Sequence, residues 1–150
     1  MTIAFPLHVL AVLVFVGGLF SAVIVSHPLA RGLNTDAASV AWRQALSRVF
    51  TWAWVSLLLI VATGVVMVSL KFGGFSGVPP IHRANMAIGI PAMVLFGYTF
   101  FGPWQRYRRT IARGDLPAAR WALSRVRVLM SVILGLGLLA SVVSAVGRYI

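Results

Sequence analysis

The residues of this chain with the clearest chemical potential are two histidines near the ends of long apolar segments. His8 lies about one turn inside the first segment, and His82 opens the third. An unpaired polar group in or near hydrocarbon is costly, so an imidazole in a membrane helix indicates a functional site. Because both histidines are expected at the same membrane face, they predict a site for a metal ion or a haem.

Methionines accompany these histidines. Met86 lies one helical turn after His82, on a face that continues through Gly89, and Met67 lies near the end of the second apolar segment at a similar expected depth. Imidazole and thioether ligands together suit copper, and thioether favours Cu(I). One interpretation is therefore a copper site with His8, His82, Met86 and Met67 as ligands.

A b-type haem is the alternative cofactor. His8 and His82 would be its axial ligands, with Arg83 or Lys71 pairing its propionates. The haem requires the two imidazoles to be far enough apart to hold iron between them, whereas copper requires them close together. The residues alone leave both alternatives open.

The composition is that of an integral membrane protein. Of the 150 residues, 60% are hydrophobic and only 10% are charged, whereas about a quarter are charged in soluble domains. The lack of cysteine excludes disulfides and thiolate metal sites, and the acidic residues are only Asp36 and Asp115. Paired-carboxylate catalysis and a di-iron carboxylate site are thereby excluded for this chain alone.

The apolar pattern predicts an all-α fold, an integral membrane four-helix bundle in one domain. Each apolar segment has close to the ~20 residues needed to cross hydrocarbon. The predicted spans are about 4–26, 50–71, 82–102 and 127–147, with connecting loops 27–49, 72–81 and 103–126.

The basic residues predict the orientation of the bundle. Nine of the thirteen lie in loops 27–49 and 103–126 and a tenth, Arg127, directly follows the second of them, so the positive-inside rule places those loops in the cytoplasm. Both termini and loop 72–81 are then periplasmic, in a bacterial inner membrane. Because the arginines border apolar spans, the net charge of +11 indicates topology and lipid contact, and we expect no nucleic-acid partner.

Smaller features predict local structure. Helix-capping residues favour short cytoplasmic helices at about 36–48 and 116–126, each leading into a span. Aromatic residues near span ends predict an interfacial belt formed by Trp52, Trp54, Trp104 and Tyr149.

Several motifs resemble the copper-resistance D family of bacterial inner-membrane proteins, in order and over nearly the whole chain. They are His8-Val9-Leu10-Ala11-Val12 with Gly17-Gly18, Ala62-Thr63-Gly64, Ile81-His82, Phe101-Gly102-Pro103-Trp104 with Tyr107-Arg108-Arg109, Arg125-Val126-Arg127, and Gly147-Arg148-Tyr149. The resemblance is to a minimal four-helix unit. It implies copper handling or uptake, with a periplasmic copper carrier as partner. A more remote resemblance is to the small haem-binding membrane protoporphyrinogen oxidase, which likewise has a His and paired Gly in its first span.

Three functional hypotheses follow. The first is a redox-metal-binding membrane protein that holds copper or haem b through His8 and His82 near the periplasmic face. The second is an enzyme, a haem-linked oxidoreductase or electron carrier that uses quinol or a porphyrin. The third is a structural accessory subunit of a larger membrane complex. A homodimer is a further expectation, because a four-helix unit could require a second copy of the chain to form a cleft.

Overall fold

The computed structural model describes the backbone of residues 3–32 and 36–147, and the side chains of residues 3–24 and 43–147. Within those ranges the chain is helical and contains no strand. The helices are α1 (Ala4–Gly32), α2 (Asp36–Phe72), α3 (Pro80–Thr99), α4 (Gln105–Ala112) and α5 (Leu116–Val146). Four helical stretches of the described chain are long and apolar enough to cross a membrane, as the hydropathy pattern predicts.

The helices are longer than predicted because no breaker separates the expected short helices from their spans. The predicted 36–48 helix and second span form one helix, α2, and the predicted 116–126 helix and fourth span form α5. Asp115 begins α5 by accepting a hydrogen bond from the Ala118 backbone N–H at 3.2 Å. Asp115 therefore acts as the N-cap of a single 31-residue helix.

Between α3 and α4 the chain does not form an open loop. A π-helical turn over Phe100–Trp104 joins the two helices, and Pro103 lies inside it. Proline lacks the N–H that a regular α-helical turn needs, so the hydrogen-bond pattern widens there. Part of the predicted cytoplasmic loop 103–126 is thus an extension of the third helix.

The four long helices form an up-and-down bundle. α1 packs along α2 and α5, and α3 packs along α5. α2 meets α3 mainly through aromatic rings, with the Phe50 and Phe96 ring centroids 5.8 Å apart. Phe15 of α1 reaches Phe96 across the bundle, at 5.4 Å between centroids. The aromatic side chains therefore fill the space between helices whose backbones stay farther apart.

Two of the tryptophans predicted for an interfacial belt belong to this core instead. Trp104 is buried, with its ring centroid 4.8 Å from that of Phe50. Trp54 is half-buried and packs edge-on against Phe96. The belt prediction is wrong for Trp104, because packing of the helices buries its side chain, whereas Trp54 is only partly covered by the core. Trp52 is exposed as predicted, and Tyr149 lies outside the described residues.

Most of the apolar surface of the spans faces outward. Only 17–22% of each apolar span is buried inside the bundle, and large side chains such as Leu13, Leu58 and Val94 are exposed. Monomeric soluble proteins rarely expose such continuous apolar surface. The fold is therefore compatible with hydrocarbon surroundings.

Loop 72–81 is short and internally bonded. Gly73 and Gly74 have φ angles of +65° and +118°, which glycine adopts without strain. Val78 is buried, and its carbonyl accepts a hydrogen bond from Arg83 Nε at 2.7 Å. This loop fixes the start of α3 beside the end of α2.

The two ends of the bundle differ in their chemistry, and we call them the histidine half and the arginine half. The histidine half contains the beginnings of α1 and α3 and the ends of α2 and α5. The arginine half contains the opposite parts of those helices together with α4, and it includes the arginine-rich stretch 106–127.

Candidate functional site

His8 lies on the inward face of α1. Ala11 and Phe15 follow it at helical spacing, and both are buried. His8 itself is half-buried, one turn from the start of α1. Its ring packs against α2, where Cε1 would lie 3.7 Å from a Cβ added at Gly64.

Thr63 of α2 orients the His8 ring. The His8 Nδ1 atom and the Thr63 Oγ1 atom are 2.8 Å apart. The Thr63 hydroxyl carries one proton, which it donates to the Leu59 carbonyl one turn earlier. Its oxygen therefore accepts a hydrogen bond from the Nδ1–H of His8, and in the neutral imidazole the Nε2 atom carries the free lone pair.

A cleft of about 310 Å³ lies between α1 and α2 at the histidine end. Its lining residues are Ala4, Phe5, Val66, Met67, Leu70 and Lys71. Ala4 precedes His8 by one turn, and Met67 follows Thr63 by one turn on the same face of α2. The cleft therefore begins next to the His8–Thr63 pair and continues toward the end of the bundle.

His82 occupies a more open position than His8. Its side chain is exposed in the first turn of α3, and its ring lies edge-on to the Phe72 ring with centroids 5.3 Å apart. Arg83 is also exposed, and its Nε atom is engaged by the Val78 carbonyl. The remaining guanidinium nitrogens of Arg83 form no hydrogen bond to the described residues.

The structure gives the two histidines different neighbours. His8 contacts α2 at Thr63 and Gly64, whereas His82 contacts it at Phe72. Thr63 and Phe72 are nine positions apart, which is about 13 Å along a helix by the standard rise of 1.5 Å per residue. No group of three or more His, Cys, Asp or Glu side chains in the described ranges is arranged to hold a metal ion.

The two methionines predicted as ligands also lie on different helices, Met67 on α2 and Met86 on α3. Met67 lines the α1–α2 cleft, and Met86 is half-buried on α3, one turn after His82. On α3 the buried residues are Ala92, Phe96 and Thr99. The predicted face through Met86 and Gly89 is half-buried, so it borders this buried face.

Sequence reasoning missed the role of Thr63. The tripeptide Ala62-Thr63-Gly64 stood out only as part of a family resemblance, yet it supplies both the hydrogen bond and the flat surface that hold His8. The only available signal was a hydroxyl and a glycine adjacent to each other in an otherwise aliphatic stretch. Pairing them with His8 required the register between α1 and α2.

Comparisons with protein families, with curated proteins and with solved structures find no match to this chain. The geometry of His8 and its cleft is therefore the basis on which a function can be assigned.

Proposed function

We propose that this chain is a multi-pass protein of a bacterial inner membrane that binds copper near its periplasmic face, as part of copper handling or uptake. His8 is the principal ligand, and Met67 supplies a thioether. His82 and Met86 are additional ligands at the mouth of the bundle. Both termini and loop 72–81 are on the periplasmic side, where a copper carrier would deliver the ion.

The observation that supports this proposal best is the hydrogen bond from His8 to Thr63. Metal-bound histidines almost always donate their second ring N–H to an oxygen, which fixes the tautomer and the direction of the ligand nitrogen. Here Thr63 receives Nδ1–H, so Nε2 is the atom available to a metal.

The donor set suits copper in its reduced state. Imidazole nitrogen and thioether sulfur are the ligand types that favour Cu(I), and neither carries a charge that would need a partner in apolar surroundings. Met67 lines the cleft next to His8, and no carboxylate lines this cleft. Hard cations such as Mg²⁺ and Ca²⁺, which prefer oxygen ligands, are poorly matched to this site.

The test is a competition titration of detergent-purified protein with a chromophoric Cu(I) chelator. His8→Ala is expected to weaken Cu(I) binding at least 100-fold, and Met67→Leu about tenfold. His27→Ala and Met93→Leu are the matched controls, because each removes the same ligand type: His27 is nineteen positions after His8 in the sequence, and Met93 does not line the cleft. Full binding by both His8→Ala and His82→Ala would contradict the proposed site.

Haem b is the second candidate, and Lys71 favours it. Lys71 lines the cleft beyond His8 and could pair with a propionate while His8 Nε2 held the iron. The cleft volume of about 310 Å³ is at the lower end of the ~300–1,000 Å³ typical of small-molecule pockets, so a haem would have to widen it. On that measure copper fits better.

A visible spectrum separates the two cofactors. The purified protein is recorded as isolated and after dithionite reduction. A Soret band with sharp reduced α and β bands, lost in His8→Ala, would identify the cofactor as haem and overturn the copper proposal. The protein would then be an oxidoreductase or an electron carrier. A featureless spectrum together with Cu(I) binding supports the copper proposal. The absence of both cofactors, with a stably bound partner protein, would support an accessory subunit of a membrane complex.

A further inference from the structure

A second feature lies at the opposite end of the bundle from His8. Two arginines place their guanidinium groups over the ring of one tryptophan, Trp121. The Cζ atom of Arg106 is 4.6 Å from the ring centroid and that of Arg125 is 5.0 Å from it. Arg106 comes from α4 and Arg125 from α5, so two helices contribute to the arrangement.

The positive charge of this group is not neutralised by the described residues. Asp115 is the one acidic residue whose side chain is described, and it is engaged as the N-cap of α5. Neither Arg106 nor Arg125 forms a described ion pair, and Arg108, Arg109 and Arg120 nearby add further positive charge. Stacking on Trp121 holds both guanidiniums in place and leaves their N–H groups available to an anion.

The face of α5 that carries Trp121 and Arg125 continues into the apolar span. Val128, Val132 and Leu139 follow Arg125 at helical spacing, and all three are exposed. Gly135 lies between them, and a Cβ added there would meet nothing within 4 Å. A shallow apolar track therefore runs from the charged group along the helix.

The geometry points to an anionic phospholipid as the occupant of this surface. Its phosphate would lie between Arg106 and Arg125, which can bind phosphate oxygens through planar N–H pairs. Trp121, half exposed, has the amphipathic ring expected at head-group level, and one acyl chain would follow Val128, Gly135 and Leu139. The continuity of the charge with the apolar track favours a lipid over free phosphate. The inference depends on insertion in a membrane and is independent of any metal at His8.

The experiment measures anionic phospholipid bound to the purified full-length protein by native mass spectrometry, during titration with phosphatidylglycerol in a neutral detergent. Arg106→Gln/Arg125→Gln is expected to weaken lipid binding at least tenfold. Arg48→Gln/Arg113→Gln is the matched control, because it removes the same charge from exposed positions of the same half. We expect a loss of less than threefold in this control.

Two further variants test the geometry apart from net charge and folding. Arg106→Lys/Arg125→Lys keeps the charge but lacks the planar guanidinium, and binding should fall about fivefold. Gly135→Leu leaves the charge intact and fills the apolar track, and binding should fall about threefold. Equal losses in the two glutamine variants, full binding by the lysine variant, or displacement of the lipid by millimolar inorganic phosphate would each overturn the inference.

Discussion

The arginine half and the histidine half of this bundle are packed in different ways. In the arginine half, Phe50, Phe96 and Trp104 form a continuous aromatic core, and Leu19 and Val126 are completely buried. In the histidine half, no residue of α3 before Ala92 and no described residue of α5 after Leu134 is buried. The contrast indicates that α3 and α5 bury more of their side chains in the arginine half than in the histidine half.

Buried polar atoms without a partner occur in both halves. In the histidine half His8 is paired with Thr63, but Asn85 Oδ1 of α3 is buried without a hydrogen-bond partner among the described residues, as are Trp54 Nε1 and Tyr107 Oη in the aromatic core. Tyr107 packs its ring on Trp104, at 5.6 Å between centroids. Ring packing at these positions thus takes precedence over hydrogen bonding, which fits a structural role for this half.

The largest expected effect is on the stability of the aromatic core. Phe96→Ala removes a ring that is 0% exposed and contacts Phe15, Phe50 and Trp54. We expect a loss of about 3 kcal/mol in the free energy of unfolding, because the cavity cannot refill. Thermal unfolding in detergent micelles measures it. Val94→Ala, at an exposed position of the same helix, should change stability by less than about 0.5 kcal/mol. Similar losses in both variants would remove the distinction between core and surface.

The second effect is on the metal affinity of the histidine half, where Thr63 is expected to orient His8 as a ligand. Thr63→Val removes the acceptor for His8 Nδ1–H while keeping the side-chain shape. Loss of such an outer partner typically costs about 10–100-fold in metal affinity, so Cu(I) binding should weaken by that factor. Thr63→Ser, which keeps the hydroxyl, should restore most of the affinity. If the valine variant binds Cu(I) as tightly as the unmodified protein, Thr63 does not position a ligand.

The third effect concerns the loop that joins the end of α2 to α3. Gly74 has a φ of +118° and a ψ of 179°, a conformation that side-chain-bearing residues rarely adopt. Gly74→Ala should therefore destabilise the protein by about 1–3 kcal/mol. The apparent melting temperature of the variant measures this loss. An unchanged melting temperature would show that this loop can relax without cost to the bundle.

The smallest effect has the opposite sign. Gly89 lies in α3 in the loosely packed half, where an added Cβ would meet nothing within 4 Å. Gly89→Ala should stabilise the helix by about 0.5–1 kcal/mol, because alanine loses less backbone entropy than glycine. The same melting experiment detects it. Destabilisation at this position would mean that the histidine half is more tightly packed than its exposure indicates.

The fold was predictable from sequence to the level of four apolar helices, because length and hydropathy determine which segments can span hydrocarbon. The junctions were less predictable. Nothing at 48–50 or 126–128 breaks a helix, so the predicted short helices and spans are continuous. The burial of Trp104 and the partial burial of Trp54 depend on how the helices pack, which periodicity in a uniformly apolar sequence does not reveal.

The candidate site shows the same limit. The chemical types of His8 and Met67 were recognisable from sequence, and the structure places both at the α1–α2 interface. Thr63 was not recognisable as a partner because its pairing with His8 depends on helix register. A role for His82 and Met86 as additional ligands remains a prediction, since His82 packs against Phe72 and Met86 lies on α3, outside the cleft lining.

The uninterrupted length of α2 has a mechanical consequence. Its 37 residues extend about 55 Å, against about 30 Å for the hydrocarbon of a bilayer. A rigid rod of that length converts a small rotation at one end into a large displacement at the other. A tilt of about 5° about the Phe72 end would move the Asp36 end by roughly 5 Å, about one helical turn. The continuity of α2 therefore links any change in its tilt at one end to a larger shift at the other end.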